Sequence, residues 1–420
     1  MKHERDNKTR PLRVVFLSIT FDPEPGALRG LPLARWLRDR GGYEIKVLTA
    51  VPWYPLGRVY PGYRQKLWQW EEMDGIKILR VPIFPSHDQS ALRRILTYLS
   101  FMCFASLIGV WKIGKADVVY YFDNLPTTGA VAWLISRLRG AKMVQHIADM
   151  WPDTVVECGM VRGPLRGLVE RVVGGWCRFL YRRHARITVL SPGFKRMLLQ
   201  RGVPEEKIDV IYNWADEGKF YPETPDPELR RELELEGRFN IIYAGNIGPL
   251  QGLETAVRAA ALVRDIHQIQ LVIIGTGPKE TEIRRLAAEL GADNVRFIGR
   301  RPVEEMNRIN ALADALLVHL VDIPFMYATI PSKTQVSLAS ARPILMGQKG
   351  DAADLVCDAG AGLVVAPEDP EAMAQAMRRL AALPLGERQA MGARGRAYYE
   401  QHLSLQVGGR IMDELFRSVA

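Results

Sequence analysis

Cysteine is scarce and scattered: Cys103, Cys158, Cys177 and Cys357 are the only four in 420 residues, and no two stand in C-x-x-C spacing. A disulfide framework and a cysteine-rich zinc site are therefore excluded, and a reducing, cytoplasmic location is expected. The chain also lacks an apolar signal segment, because the polar stretch MKHERDNKTR leads straight into a strand pattern. It reads as a frayed arm. No G-x-G-x-x-G follows the first strand, so a dinucleotide site is not expected there. No RNA- or DNA-binding motif is present, so nucleic acid is not an expected partner.

What is present describes a folded protein, with 48% apolar and 25% charged residues. A chain of 420 residues exceeds one compact core, so two domains of roughly 200 residues are expected. Charge is uneven: residues 1–210 hold 33 Lys and Arg against 19 Asp and Glu, the remainder 23 against 28. A basic first half suits an anionic partner, and membrane phospholipid or a phosphorylated lipid fits.

Taken in order, residues 13–19 form an apolar strand, followed by the loop TFDPEPGALRG and a helix over 31–40. Gly26 or Gly30 would let the backbone approach a ligand there. Further strands are expected at 44–48, 76–81, 118–121, 143–147, 187–190 and 208–211, mostly separated by helical patterns. That alternation predicts a parallel sheet covered on both faces. Between the second and third strands lies VPWYPLGRVYPGYRQKLWQW, a long loop dense in aromatic and basic residues. Residues 95–111 carry no charge and span about 25 Å as a helix, short of the roughly 30 Å hydrocarbon core. Either a buried helix or a monotopic helix dipping into one leaflet fits. The flanking Arg93, Arg94 and Lys112, with Tyr98 and Trp111, suit the second reading.

Just past a strand end, HIADMWPD offers His146, Asp149 and Asp153. Asp153 reads as a helix cap, whereas Asp149 has no evident structural role. The proline-rich passage VIYNWADEGKFYPETPDPE is the best linker and puts the boundary near Trp214. Strand and helix then repeat, with strands at 239–244, 270–274, 295–298 and 315–320. Val407, Ile411, Leu415 and Val419 recur every four residues, so 404–420 is expected to form an amphipathic helix that packs back on the first domain.

Residues 330–354 run from a strand end through IPSK into a short helix, a second strand and a glycine-flanked turn opening another helix. Ser332 and Gln335 read as a capping box. The unpaired amides of the helix start, with Lys333 beside them, make a seat for phosphate. The plain alternative is a capped helix in a βαβ unit.

The succession FDPEPGALRG, VPWYPLGRVYPGY, DMWPD, VIYNWAD, YAGNIGPLQGLE, IIGTGP, FIGRRP and IPSK resembles the family 4 glycosyltransferases of GT-B fold, from about Leu12 to the C-terminus. The likeness is strongest to the bacterial branch that builds O-antigen and capsular polysaccharide, often moving amino sugars. It implies an α/β chain of two doubly wound, Rossmann-like domains facing across a cleft: 1–213 on the acceptor side, 214–403 for the nucleotide sugar. It further implies a retaining, metal-independent transferase with no cofactor, taking a nucleotide-activated sugar, with UDP favoured. The expected acceptor is a lipid-linked saccharide at the inner leaflet of the membrane, and the chain would sit peripherally or monotopically on its cytoplasmic face.

Residue by residue, the resemblance places Gly245, Asn246, Gln251, Gly277, Arg300, Arg301 and Ser332 at the donor nucleotide, with Gly26 from the first domain. Asp149 would lie against the transferred sugar and Lys333 would stabilise the leaving diphosphate. Relatives often carry Arg and Lys where this chain has Asn246 and Gln251. Many also grip the sugar and ribose with an E-x7-E pair, which here falls near Ala328 and on Val336. Losing one charge-assisted bond there costs roughly 1.5 to 3 kcal/mol, and Asp351 or Asp354 would have to compensate. A nucleotide-sugar epimerase of the same fold, or a non-catalytic relative that binds nucleotide sugar or a partner, are the alternatives.

Overall fold

A computed structural model describes residues 10–25, 28–87, 90–123, 125–153 and 165–420. Gly26 and Cys158, named above, lie outside them. The chain divides into two units: Met1–Leu190, Phe194–Ile211 and Gly408–Ala420 form the first, and Ser191–Gly193 with Tyr212–Val407 the second.

The first unit is built on β1 (Leu12–Leu17), β2 (Tyr43–Ala50), β3 (Gln69–Met73), β4 (Ile76–Val81), β5 (Val118–Tyr121), β6 (Lys142–Ile147), β7 (Arg186–Val189) and β8 (Ile208–Val210). They lie in the order β3-β4-β2-β1-β5-β6-β7-β8. Central β1 pairs parallel with β2 (Val14 opposite Ile45) and with β5 (Val14 opposite Val118). Being covered on both faces, its residues Val14, Val15, Phe16 and Leu17 are all buried, which is why it reads as a continuous apolar run. The sheet is not wholly parallel. Edge strand β3 runs antiparallel to β4, joined through Asp74 and Gly75, both at positive φ (49° and 73°). Its half-exposed sequence QWEEM lacks an apolar run, but the Asp-Gly pair is a hairpin signal.

The segment expected at 95–111 forms a helix over Ala91–Phe104, a π turn at Ala105–Gly109 and a last turn at Val110–Ile113. Phe101, Ala105, Val110 and Ile113 are buried in the core under the sheet. Gly109 presses onto β2, where a Cβ would stand 2.7 Å from Leu48 Cδ1. The opposite face is apolar yet open, with Leu107 73% and Trp111 65% exposed. This corrects the buried-helix reading: only one side is covered.

The helix Leu405–Val419 buries Gly408, Gly409, Met412, Asp413, Leu415 and Phe416. Its inward face is therefore turned from the expected Val407, Ile411, Leu415 and Val419 row, of which only Leu415 is buried. Glycine explains the turn: a Cβ on Gly409 would stand 2.6 Å from the Trp36 ring. Phe416 packs edge-on to Tyr120 at 5.5 Å. Asp413 accepts from Tyr43 Oη (2.5 Å), Arg40 Nε (2.6 Å) and Arg417 Nε (2.7 Å).

The second unit carries β9 (Phe239–Ala244), β10 (Ile269–Ile274), β11 (Val295–Gly299), β12 (Ala315–His319), β13 (Ile344–Gly347) and β14 (Gly362–Val365). Their order is β11-β10-β9-β12-β13-β14, and every pair is parallel. The order reverses between β9 and β12. The carboxyl ends of those two strands mark the topological switch point, where open parallel sheets bind ligands.

Candidate functional site

At the end of β9 the backbone turns through Gly245, whose φ of 148° suits glycine. A side chain there would collide with Lys333, since a Cβ would stand 2.6 Å from its Cε and 2.8 Å from its Nζ. The exits of three strands are stitched together: Gly245 N–H donates to Ile274 O (2.8 Å), Ile247 N–H to Thr276 O (3.0 Å) and Gly275 N–H to Gly299 O (2.8 Å). Gly277 packs on this seam, where a Cβ would lie 2.6 Å from Ile247 N. The turn continues as Pro249–Gln251, and Gly252 (φ 56°) opens the helix Leu253–Leu262. In the first turn of that helix Thr255 N–H donates to the Gly252 carbonyl (3.1 Å), whereas Leu253 and Glu254 precede the first intrahelical bond. Asn246 is exposed, with its carbonyl held by Tyr243 Oη (2.5 Å). Gln251 Oε1 accepts Gly248 N–H (3.1 Å).

Lys333 lies in the first turn of the helix Ser332–Ala339. Its ammonium sits 4.8 Å from the centre of the Tyr243 ring. Burial pushes its pKa down to about 8, and among the described residues no carboxylate opposes the shift. A desolvated ammonium in the first turn of a helix, against the Gly245 backbone at a switch point, suits an anion.

The expected capping box is not formed. The helix cap is Pro331, and Ser332 is already the first helical residue, with no side-chain cap bond. Gln335 is thus one position too far along for the box. With its amide oriented so that oxygen and nitrogen both suit their neighbours, its nitrogen instead donates back to the carbonyls of Pro331 (2.7 Å) and Ser332 (3.3 Å). Ser332 is exposed.

Other expected donor-site residues are committed elsewhere. Arg301 is paired with Glu232 (2.9 Å) and Glu305 (3.6 Å), so its charge is already answered. Arg300 is exposed. Asp351 is buried and accepts Gly193 N–H within the second unit. Asp354 is exposed in the first turn of the helix Asp351–Asp358. Ala328 ends the short turn Pro324–Ala328 and Val336 lies in the helix after Lys333, so neither place supplies an acceptor side chain.

The polar groups around that turn were not anticipated. Gln348 is buried and donates to the carbonyls of Met326 (3.0 Å) and Thr329 (2.8 Å). Asp322 accepts from Tyr327 Oη (2.5 Å) and Lys349 Nζ (2.7 Å), and these bonds hold its carboxyl below the usual range, Lys349 first. His319, at the end of β12, is buried as well. Gln348 directly follows β13, His319 ends β12 and Asp322 lies three residues beyond it, and that placement at strand exits is the signal that would have singled them out.

In the first unit Asp149 is exposed just past β6, although the protein around it pushes its carboxyl upward by desolvation. His146 belongs to the core of the sheet, 2.9 Å from Thr188 Oγ1. Asp153 pairs with Arg201, which also holds the Trp151 carbonyl (2.9 Å). Two carboxylates that were missed organise the loops here. Glu24 accepts the amides of Tyr54 (2.7 Å), Trp53 (2.8 Å) and Phe21 (3.0 Å), so it ties the 20–30 loop to the aromatic loop. Asp123 accepts Ile19 N–H (2.7 Å) and Thr128 Oγ1 (2.8 Å), and burial pushes it up to about 6. Among the described residues no group of three or more His, Cys, Asp or Glu side chains is placed to hold a metal ion.

Two family descriptions match this chain: Glycosyl transferase 4-like domain over residues 29–214 and Glycosyl transferases group 1 over 225–398. It is 25% identical over 395 residues to WcaI of Escherichia coli K12, a protein named for glycosyl transfer in colanic acid biosynthesis, covering 89% of this chain and 93% of that one. Among solved structures, sucrose-phosphate synthase of Thermosynechococcus elongatus aligns with a TM-score of 0.70 at 18% identity, covering 97% and 99% of the two chains. HepE of Anabaena, in complex with UDP-glucose, aligns at 0.68 with 15% identity, covering 97% and 100%. The switch point with its stitched strand ends, the two α/β units and the matches along the chain lead to one assignment: this protein belongs to the family 4-type glycosyltransferases and has the GT-B fold.

Proposed function

We propose that this chain is a retaining glycosyltransferase that moves a sugar, an amino sugar among the candidates, from a UDP-sugar to a lipid-linked saccharide in surface-polysaccharide assembly. The observation that carries this reading is Lys333, whose ammonium is desolvated, has no carboxylate partner among the described residues and lies against the Gly245 backbone. A donor diphosphate would answer that charge. As the sugar bond breaks, negative charge grows on the leaving diphosphate, where Lys333 and the helix amides stabilise it. The diphosphate then takes the acceptor's proton, so no protein base is required, and Asp149 would contact the transferred sugar. Support for UDP comes from HepE, whose solved complex holds UDP-glucose, and support for polysaccharide assembly from the name of WcaI.

The open apolar face of the Ala91–Ile113 segment supports a peripheral or monotopic seat on the cytoplasmic leaflet. Leu92, Ile95, Leu96 and Leu99 continue the face marked by Leu107 and Trp111. Cations border it: Lys112 lies 4.0 Å from the Trp68 ring and Arg139 lies 5.5 Å from that of Trp111. Apolar surface rimmed by cations suits an anionic leaflet.

Incubating the protein with radiolabelled UDP-sugars and a bacterial membrane lipid extract tests the reading. Label should enter the organic phase with the anomeric configuration retained. UDP binding without transfer would instead identify a non-catalytic binder, and interconversion of the free UDP-sugar an epimerase.

A further inference from the structure

The geometry points to His319 as a positioning residue of the donor site, one that fixes the 248–252 turn through its Nδ1–H. This rests on the reading of that turn as part of the diphosphate seat. His319 is the last residue of β12, buried, with its ring slotted between two glycines. A Cβ on Gly252 would stand 2.8 Å from the ring's Cε1, and one on Gly347 would overlap the ring outright. No side chain other than hydrogen fits at either place while the ring is there.

The ring's hydrogen bonds settle its tautomer. Nδ1 lies 2.8 Å from the Gln251 carbonyl, which can only accept, so Nδ1 carries the proton. Nε2 is then an acceptor, and Glu368 N–H donates to it at 3.4 Å. Burial lowers the ring's pKa and so favours this neutral form. Two residues on, Val321 N–H donates to the Leu250 carbonyl (3.1 Å). The exit of β12 therefore holds successive carbonyls of the turn, one by backbone and one by imidazole. His319 acts through the turn and touches no reacting atom. It holds in place the turn that leads into the first-turn amides of the helix Leu253–Leu262.

Asparagine and glutamine variants separate the two ring nitrogens. The side-chain nitrogen of Asn stands as many bonds from Cα as Nδ1, and that of Gln as many as Nε2. UDP binding is measured by calorimetry for wild type, His319→Asn, His319→Gln and Lys333→Ala, with thermal melting of each. His319→Asn should bind UDP within about threefold of wild type, and His319→Gln roughly five- to tenfold more weakly, the effect of one lost hydrogen bond. Equal weakening in both variants, or none in His319→Gln, overturns the role given to Nδ1. If His319→Gln melts before it can be titrated, wild-type-like binding by His319→Asn supports the proposal and weakened binding overturns it. If wild type binds UDP and only Lys333→Ala weakens it, the donor-site reading stands without His319. If wild type binds no UDP, the UDP-site reading fails, and the proposal with it.

Discussion

Lys333 concentrates the chemistry of the second unit, and its titration gives it a signature. Its ammonium is charged below about 8, so attraction for a diphosphate is full at pH 7 and fades as pH rises through that value. UDP affinity should therefore fall between pH 8 and 10 in wild type. In Lys333→Ala it should be lower by roughly 10- to 100-fold, the loss of a charged hydrogen bond, and flat across that range. Calorimetry at several pH values checks both. Stability moves the other way. The folded-state pKa lies below the unfolded value, so the unfolded chain binds more protons between about 8 and 10.5 and stability rises with pH across that window. Lys333→Met should melt above unliganded wild type at pH 7, with the gap closing toward pH 10. The sequence marks Lys333 and Gly245 because both stand in short patterns at strand and helix ends. It could not show that Arg301 is taken by Glu232, or that His319 reaches the Gln251 carbonyl, because those partners are far apart in sequence and meet only in the fold.

At the scale of elements, strands buried on both faces were legible because nothing polar interrupts them, as in β1. Edge strand β3 was not, since its exposed face carries the charges of an ordinary loop. A helix start shifted by one residue undid the expected capping box, although the helix itself was foreseen. The Ala91–Ile113 segment shows what composition alone leaves open: its run of apolar residues suits burial and membrane contact equally, and only the packing of Phe101 and Gly109 against the sheet shows which side is covered. The uncovered side yields a prediction. Leu107→Ser with Trp111→Ser removes two exposed apolar side chains, each worth about 1.5 to 3 kcal/mol if buried in lipid. Binding to vesicles containing anionic lipid should weaken by at least roughly a hundredfold, as read by flotation. The melting temperature should hardly change, because neither side chain supports the core. Unchanged flotation would remove the membrane seat.

For the whole molecule, composition, length and the proline-rich passage near Trp214 pointed to two parts, and the chain divides at Ile211 and Tyr212. The return of its last helix depends on contacts that no local pattern encodes. Those contacts join residues more than 290 positions apart in sequence, as Phe416 does with Tyr120. They make the first unit discontinuous, closed by residues 408–420 after the second unit is complete. Phe416 is fully buried, so Phe416→Ala should cost about 3 to 5 kcal/mol, the usual loss for a large core aromatic. A chain of two units need not unfold in one step, and the cost should fall on one of them. Hydrogen exchange measured on the intact chain should show faster exchange in β1, β2 and β5, with β9, β10 and β12 unchanged. Equal acceleration in both sets of strands would mean that the last helix supports the protein as a whole and that its return is not a local closure of the first unit.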